Sequence, residues 1–229
     1  MVCRYPEEDV AGSLKKGIIK MSRKFKILRN FHDEGIKLYA KGTIEIKPGL
    51  TVLVGCNGAG KTTLLKQIES RLKKEKIPYV SFDNLHDGGS NARSEAAFMN
   101  DFEFVANSMC SSEGENIALN VGRFAYKIGA LLKKCEGNEA WILMDAIDSG
   151  LSVDAVVDMK KGLFETILEH YSDKELYIVV SANEYELARG EKCFDVVNCK
   201  YVKIKDYEDY RNIILQSREI KDKRYDQEE

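Results

Sequence analysis

The sequence predicts an α/β protein built on a mostly parallel sheet with helices on its faces, and three observations carry that prediction. Short apolar runs fit for buried strands, TVLVG, WILMD and ELYIVVS, alternate with segments whose apolar residues recur at helical spacing. A glycine-rich stretch, GCNGAGKT, joins the first of these strands to one of those helices. The chain of 229 residues is long enough for one large core.

From Lys24 the order reads as follows. KFKIL and GTIEI are short strands, and a Pro-Gly turn at 48–49 delivers TVLVG as a third. The segment after GCNGAG is helical, with Leu64, Leu65, Ile68 and Leu72 on one face. IPYVSFDN is the next strand. Residues 84–100 are polar and read as a loop entering a short helical patch, FMNDFEFVANSM. A longer helix follows, placing Ile117, Val121, Phe124, Ile128 and Leu131 at helical spacing. WILMD is a buried strand, VDAVVDMKKGLFETILEHY a helix and ELYIVVSAN another buried strand. VVNCKYVKIKDYEDYRNIILQSRE reads as strands and then an amphipathic helix. The expected division is a flexible extension over 1–23, one domain over 24–220 with a helical lobe over about 84–135, and a charged tail over 221–229.

Composition narrows the function classes. With 44% apolar and 31% charged residues the chain reads as an ordinary globular protein, and no apolar run approaches the roughly 18 residues of a membrane span. The first residues lack the apolar core of a secretory signal. Six cysteines form no C-x-x-C pair, so they read as incidental thiols of a reducing cytoplasm, and no transition-metal site is indicated. A net charge of −2 gives no global bias toward nucleic acid. Locally, Lys15, Lys16, Lys20, Arg23, Lys24, Lys26 and Arg29 occur without an intervening acid, as a solvated tail or, less favoured, a nucleic-acid or phosphate patch.

Gly55 to Thr62 satisfies G-x-x-x-x-G-K-[ST] between a predicted strand and a predicted helix. In such a loop glycines let backbone N–H groups curl around phosphate oxygens while the helix N-terminus adds its positive dipole. The nucleotide-binding candidates are Gly55, Asn57, Gly58, Gly60, Lys61, Thr62 and Thr63. Lys61 would reach the β- and γ-phosphates, and the Thr62 hydroxyl would ligate magnesium. Asp145, ending WILMD, stands where such folds place a magnesium-holding carboxylate; a cap on the next turn is the lesser alternative, weaker still beside the phosphate loop.

The order GCNGAGKT, SSEGE, MDAIDSGLS resembles the ATP-binding-cassette superfamily, specifically the ATPase heads of the SMC, RecF and double-strand-break-repair lineage. The resemblance covers about residues 24–205 and implies a P-loop NTPase with an ABC-type head: a mostly parallel sheet, an N-terminal antiparallel strand region and a small helical insertion. It implies ATP and Mg2+ as ligands, and a homodimer closed head to tail over two nucleotides. The signature loop of the family maps to Ser111–Glu115, where Ser112 and Gly114 would meet the γ-phosphate held by the other protomer. Glu113 replaces a glycine there, and Ser112 with Glu115 also fits a capping box. Ser149–Ser152 resembles the dimer-contacting loop, with Ser152 where Asp is usual; Ser152 is equally a helix cap.

Three departures stand out. In the family a Glu follows the magnesium Asp, a His follows a later strand, and a Gln follows the strand before the signature. Here those places hold Ala146, Ala182 or Asn183, and Asp83 or Asn84. Asp83 is carried as a further metal-ligand candidate. Asp148 is the nearest replacement carboxylate, acting through a water or capping its turn. The expectation is a weak cytoplasmic ATPase with slow turnover, a bare head without a coiled-coil arm, acting on DNA or a protein effector. The alternatives are a non-hydrolysing ATP-sensing switch and a phosphoryl-transfer kinase. For the latter, Arg93, Arg123 and Arg189 form no recognisable lid; a transporter subunit is less attractive.

Overall fold

The computed structural model describes residues 21–29, 37–84, 89–111, 113–135 and 139–225. Residues 1–20 of the extension expected over 1–23, including Lys15, Lys16 and Lys20, lie outside them, as does Ser112. Met21 is already anchored: its N–H donates to Glu175 Oε1 (2.9 Å) and its carbonyl accepts from Tyr177.

The elements in chain order are β1 (Arg23–Lys26), β2 (Thr43–Ile46), β3 (Gly49–Val54), α1 (Lys61–Glu75), β4 (Tyr79–Asp83), α2 (Gly89–Phe98), α3 (Phe102–Cys110) and α4 (Glu113–Lys134). Then come β5 (Glu139–Asp145), α5 (Val153–Met159), a π-helical turn (Lys160–Glu165) running into α6 (Thr166–His170), β6 (Glu175–Ser181), α7 (Tyr185–Ala188), β7 (Lys192–Asp195), β8 (Lys200–Val202) and α8 (Tyr207–Tyr225).

The main sheet has the order β4-β5-β6-β3-β7-β8. Its first five strands run parallel and β8 closes the edge antiparallel, while β1 and β2 pair separately as an antiparallel hairpin. Strand alternation sorts the core onto two faces. Val52, Val54, Ile142, Met144, Ile178 and Val180 point to one face and pack with Phe124, Ile128 and Leu132 of α4 and with Val156 and Phe164. Leu53, Trp141, Leu143, Tyr177 and Val179 point to the other, against Leu64, Leu65, Ile68 and Leu72 of α1 and against Phe25, Ile44 and Ile46 of the hairpin. Trp141 and Tyr177, partners across β5 and β6, stack with ring centroids 4.1 Å apart. Full burial of each such side chain contributes on the order of 1.5–3 kcal/mol.

Five sequence expectations change. Part of the stretch expected as a loop over 84–100 is helix α2, and the helical patch after it is broken at Met99–Asp101, where Asn100 has φ 60° and the Asp101 carboxylate caps α3 by accepting from Phe104 N–H. The helix from Val153 is interrupted by the π turn. VVNC is the turn between β7 and β8 rather than a strand, because the Asp195 carboxylate binds the Val197 and Asn198 N–H groups and curls the chain. Helix α8 continues through Tyr225, into the expected tail; 226–229 lie outside the described residues. No helix among the described residues is long and apolar enough to cross a membrane.

The interposition of β6 between β3 and β5 positions the site. The loop leaving β3 and the carboxylate ending β5 face each other across the C-terminal end of β6, the crevice where open parallel sheets place ligands.

Candidate functional site

The phosphate loop begins where β3 ends and turns into α1. Gly60 has φ 101°, a left-handed conformation, and a Cβ there would lie 3.1 Å from the Tyr39 ring, so both backbone shape and space demand glycine. The Tyr39 hydroxyl donates to the Gly60 carbonyl (2.8 Å), fastening the loop to the segment leading into β2. Lys61 is buried and its Nζ donates to the carbonyls of Gly55 (2.8 Å) and Cys56 (3.5 Å). Burial pushes its pKa down, and the Asp148 and Asp145 carboxylates oppose that shift.

A cleft of about 610 Å3 opens over this loop. Asn57, Gly58, Gly60, Lys61, Thr62 and Thr63 line it together with Asp145, Ala146, Ser149, Gly150, Ser181, Asn183 and Glu184. Six of the seven loop candidates therefore face one space with the end of β5 and the loop after β6, while Gly55 lines an adjoining cleft. Beside it, a smaller cavity is lined by Thr62, Asp83 and Asp145. Asp83 and Asp145 are register partners at the ends of β4 and β5, so their side chains leave the sheet on the same side. A hydroxyl and two carboxylates are hard oxygen donors, the ligand type magnesium takes. The sequence left Asp83 and Asn84 as alternatives; Asp83 lines this cavity, while Asn84 Nδ2 donates to the Ser149 carbonyl (3.3 Å).

Asp145 is held in place by Ser181, whose hydroxyl donates to Asp145 Oδ1 (2.5 Å) and accepts the Ala146 N–H (2.7 Å). Ala146 has φ 52°, a left-handed conformation rare outside glycine, and its side chain lines the cleft. Of Ala182 and Asn183, it is Asn183 that faces the cleft; Ala182 is fully buried and its N–H donates to the Leu53 carbonyl.

Asp148 goes elsewhere. It is 1% exposed and absent from the cleft lining, and its carboxylate accepts the N–H groups of Asn183 (2.7 Å) and Glu184 (2.8 Å). Burial raises its pKa and those two N–H groups pull it back only in part. Asp148 thus caps the loop after β6 rather than its own turn. Besides Asp145, the carboxylate that lines the cleft is Glu184, exposed to solvent and missed from sequence. Its signal was present: it follows SAN at the end of a buried strand.

Ser152 stands at the N-cap of α5 without a side-chain cap hydrogen bond. Of the signature candidates, Gly114 lies in the first turn of α4 and Ser112 is outside the described residues. The three arginines weighed for a lid are engaged elsewhere: Arg93 with Ser108, Arg123 over the Phe104 ring and Arg189 with Glu186. Arg23 of the basic stretch pairs with Glu75 and Glu139.

Residues 32–128 match a family model described as an AAA domain, a span that takes in the phosphate loop and most of α4 and ends before Asp145. No curated protein matches the chain. The fold is that of a P-loop NTPase, and the match supports an ATPase superfamily and a nucleotide-binding function.

Proposed function

We propose that this chain is a Mg-ATP-binding ATPase of the SMC-like kind, hydrolysing slowly, whose ATP-bound form pairs head to tail with a second copy and so controls DNA or a protein effector. The observation that carries the reading is the convergence of the phosphate loop and Asp145 on one cleft, with Thr62 and Asp145 also lining, together with Asp83, the smaller cavity beside it.

In this reading the loop N–H groups and Lys61 cradle the β- and γ-phosphates, moving Lys61 Nζ from the Gly55 carbonyl onto phosphate oxygen. Thr62, Asp145 and Asp83 would hold magnesium, which would neutralise charge developing on the transferred phosphoryl group. Glu184 orients the attacking water, the task that Ala146 has no group to perform. Asn183 faces the same end of the cleft and donates to the Ser149 hydroxyl (3.0 Å), linking the loop after β6 to the segment that resembles a dimer contact.

The test is ATP turnover alongside size-exclusion chromatography, with and without Mg-ATP, on the chain and on Lys61→Ala. Turnover and association that both vanish in the variant support the reading. A chain that stays monomeric with bound ATP removes the dimer from it.

A second reading, a non-hydrolysing ATP sensor, is favoured by the methyl group of Ala146 on the cleft wall. Nucleotide-driven association without turnover selects it.

A further inference from the structure

A second cleft, about 420 Å3, adjoins the nucleotide cleft and shares Cys56, Asn57 and Asn183 with it. Its outer wall is α8, which contributes Tyr210, Leu215, Arg218 and Lys221. The shared loop residues, Cys56 and Asn57, stand at the start of the phosphate loop, whereas Thr62 and Thr63 at its end line the nucleotide cleft and not the second one; in the proposal below the start of the loop is the side of the terminal phosphate.

Helix α8 is fastened to both walls of that end. Buried Ser217 accepts the Cys56 N–H (2.7 Å) and its hydroxyl donates to the Ile214 carbonyl (2.7 Å). Lys221 Nζ lies 3.4 Å from the Asn57 carbonyl, and a Cβ on Gly58 would meet Lys221 Cδ at 3.3 Å. On the other wall, the Tyr210 hydroxyl donates to the Asn183 carbonyl (2.9 Å). The helix is therefore held in register with the loop that takes the phosphates.

Charge gives this placement a purpose. Among the described residues lining the nucleotide cleft, Lys61 is the sole cation and faces Asp145 and Glu184. A triphosphate brings more negative charge than one lysine offsets, and the second cleft that adjoins the site is lined by two further cations, Arg218 and Lys221. Their partner is Asp222, 3.7 Å from each in exposed pairs, which are weak and exchangeable. A phosphate oxygen offers both a stronger, charge-assisted acceptor.

We propose that Arg218 and Lys221 are contacts from within the same chain to the terminal phosphate, so that α8 distinguishes a nucleoside triphosphate from a diphosphate. The proposal rests on the nucleotide-binding reading above. On triphosphate binding, Lys221 leaves the Asn57 carbonyl and Arg218 leaves Asp222, and both turn toward the γ end of the shared cleft. The acceptor of the arginine role is thus on the C-terminal helix, not on the three arginines that the sequence brings forward.

The experiment is calorimetric binding of ADP and of a non-hydrolysable ATP analogue, each with magnesium, to the full chain and to Arg218→Ala, Lys221→Ala and the double variant. The double variant is expected to lose about 10- to 100-fold in affinity for the analogue while ADP stays within about threefold. Asp222→Asn, which frees both cations, is expected to tighten the analogue alone. Ser217→Ala serves as the structural comparison: loosening the loop should weaken both nucleotides together. Equal losses for both nucleotides in the double variant, or no loss, overturn the terminal-phosphate contact while leaving nucleotide binding intact. Failure of the unaltered chain to bind either nucleotide overturns the nucleotide reading itself and this contact with it. An unchanged melting temperature in the double variant establishes that the protein measured is folded.

Discussion

The Ser181 hydroxyl donates to Asp145 Oδ1 at 2.5 Å while accepting the Ala146 N–H, so one side chain at the end of β6 aims the carboxylate at the end of β5. Ser181→Ala removes the aim without touching either strand. It leaves the Ala146 N–H short of an acceptor, at a cost of about 1–3 kcal/mol. Partners that orient a metal-holding carboxylate are worth about 10- to 100-fold in metal affinity. The expected outcome is a rise of about tenfold in the magnesium concentration that half-saturates turnover, with Ser181→Thr close to the unaltered chain. Magnesium titration of turnover reads this directly; an unchanged midpoint means Ser181 is only a strand-end tether.

Ala146 combines a left-handed backbone with a side chain on the cleft wall. Glycine relieves the backbone strain at a small entropic penalty in the unfolded chain, so Ala146→Gly is expected to be neutral to about 1 kcal/mol stabilising. Ala146→Glu keeps the strain and adds a carboxylate beside Asp145. If the absent base limits turnover, that variant gains about 100-fold or more. Thermal melts and steady-state ATP hydrolysis on the two variants separate conformation from chemistry.

Glu184 and Asp148 are the two carboxylates that could replace the missing base, and they differ in where they point: Glu184 lines the cleft while Asp148 is buried beneath the loop. Glu184→Gln is expected to lower turnover about 100-fold with ATP affinity changed no more than a few-fold. A variant that turns over normally takes Glu184 out of the reaction and leaves the ATP-sensor reading in front.

The phosphate loop and the acidic strand were legible in the sequence because both rest on local rules. GCNGAGKT is a spacing of glycines that the loop backbone demands, and WILMD is an apolar run that only a buried strand tolerates. Leu64, Leu65, Ile68 and Leu72 announced the buried face of α1 by periodicity alone, and all four are buried. What escaped was set by contacts distant in sequence. Asp148 lies within three residues of Asp145, yet its carboxylate turns inward to N–H groups 35 and 36 residues on, a direction no spacing encodes. Arg218 and Lys221 read as ordinary charges of an amphipathic helix until the Ser217 contact to Cys56, 161 residues away, brings α8 onto the phosphate loop. Helix α2 escaped for another reason: Gly88, Gly89, Ser90 and Asn91 signal a turn, and its weak amphipathicity left only tertiary packing of Ala96 to fix it.

Asp148 also makes a prediction about stability. Asp148→Ala leaves the N–H groups of Asn183 and Glu184 without their acceptor beneath the cleft and is expected to cost about 2–4 kcal/mol. Asp148→Asn keeps an acceptor oxygen and sheds the charge. Burial holds the Asp148 pKa above the ordinary carboxylate range in the folded protein, so ionisation is resisted more there than in the unfolded chain. Its contribution is therefore full below the unfolded-state value and is lost as pH rises through the raised folded value. The Asn variant lacks that loss, so its stability relative to the unaltered chain should improve as pH rises across the window and level off above it. Urea denaturation of both proteins at intervals from about pH 4 to pH 8 measures the difference. A difference that stays flat across the series would mean that the two N–H groups compensate the buried charge completely, and that Asp148 is a neutral anchor at every pH.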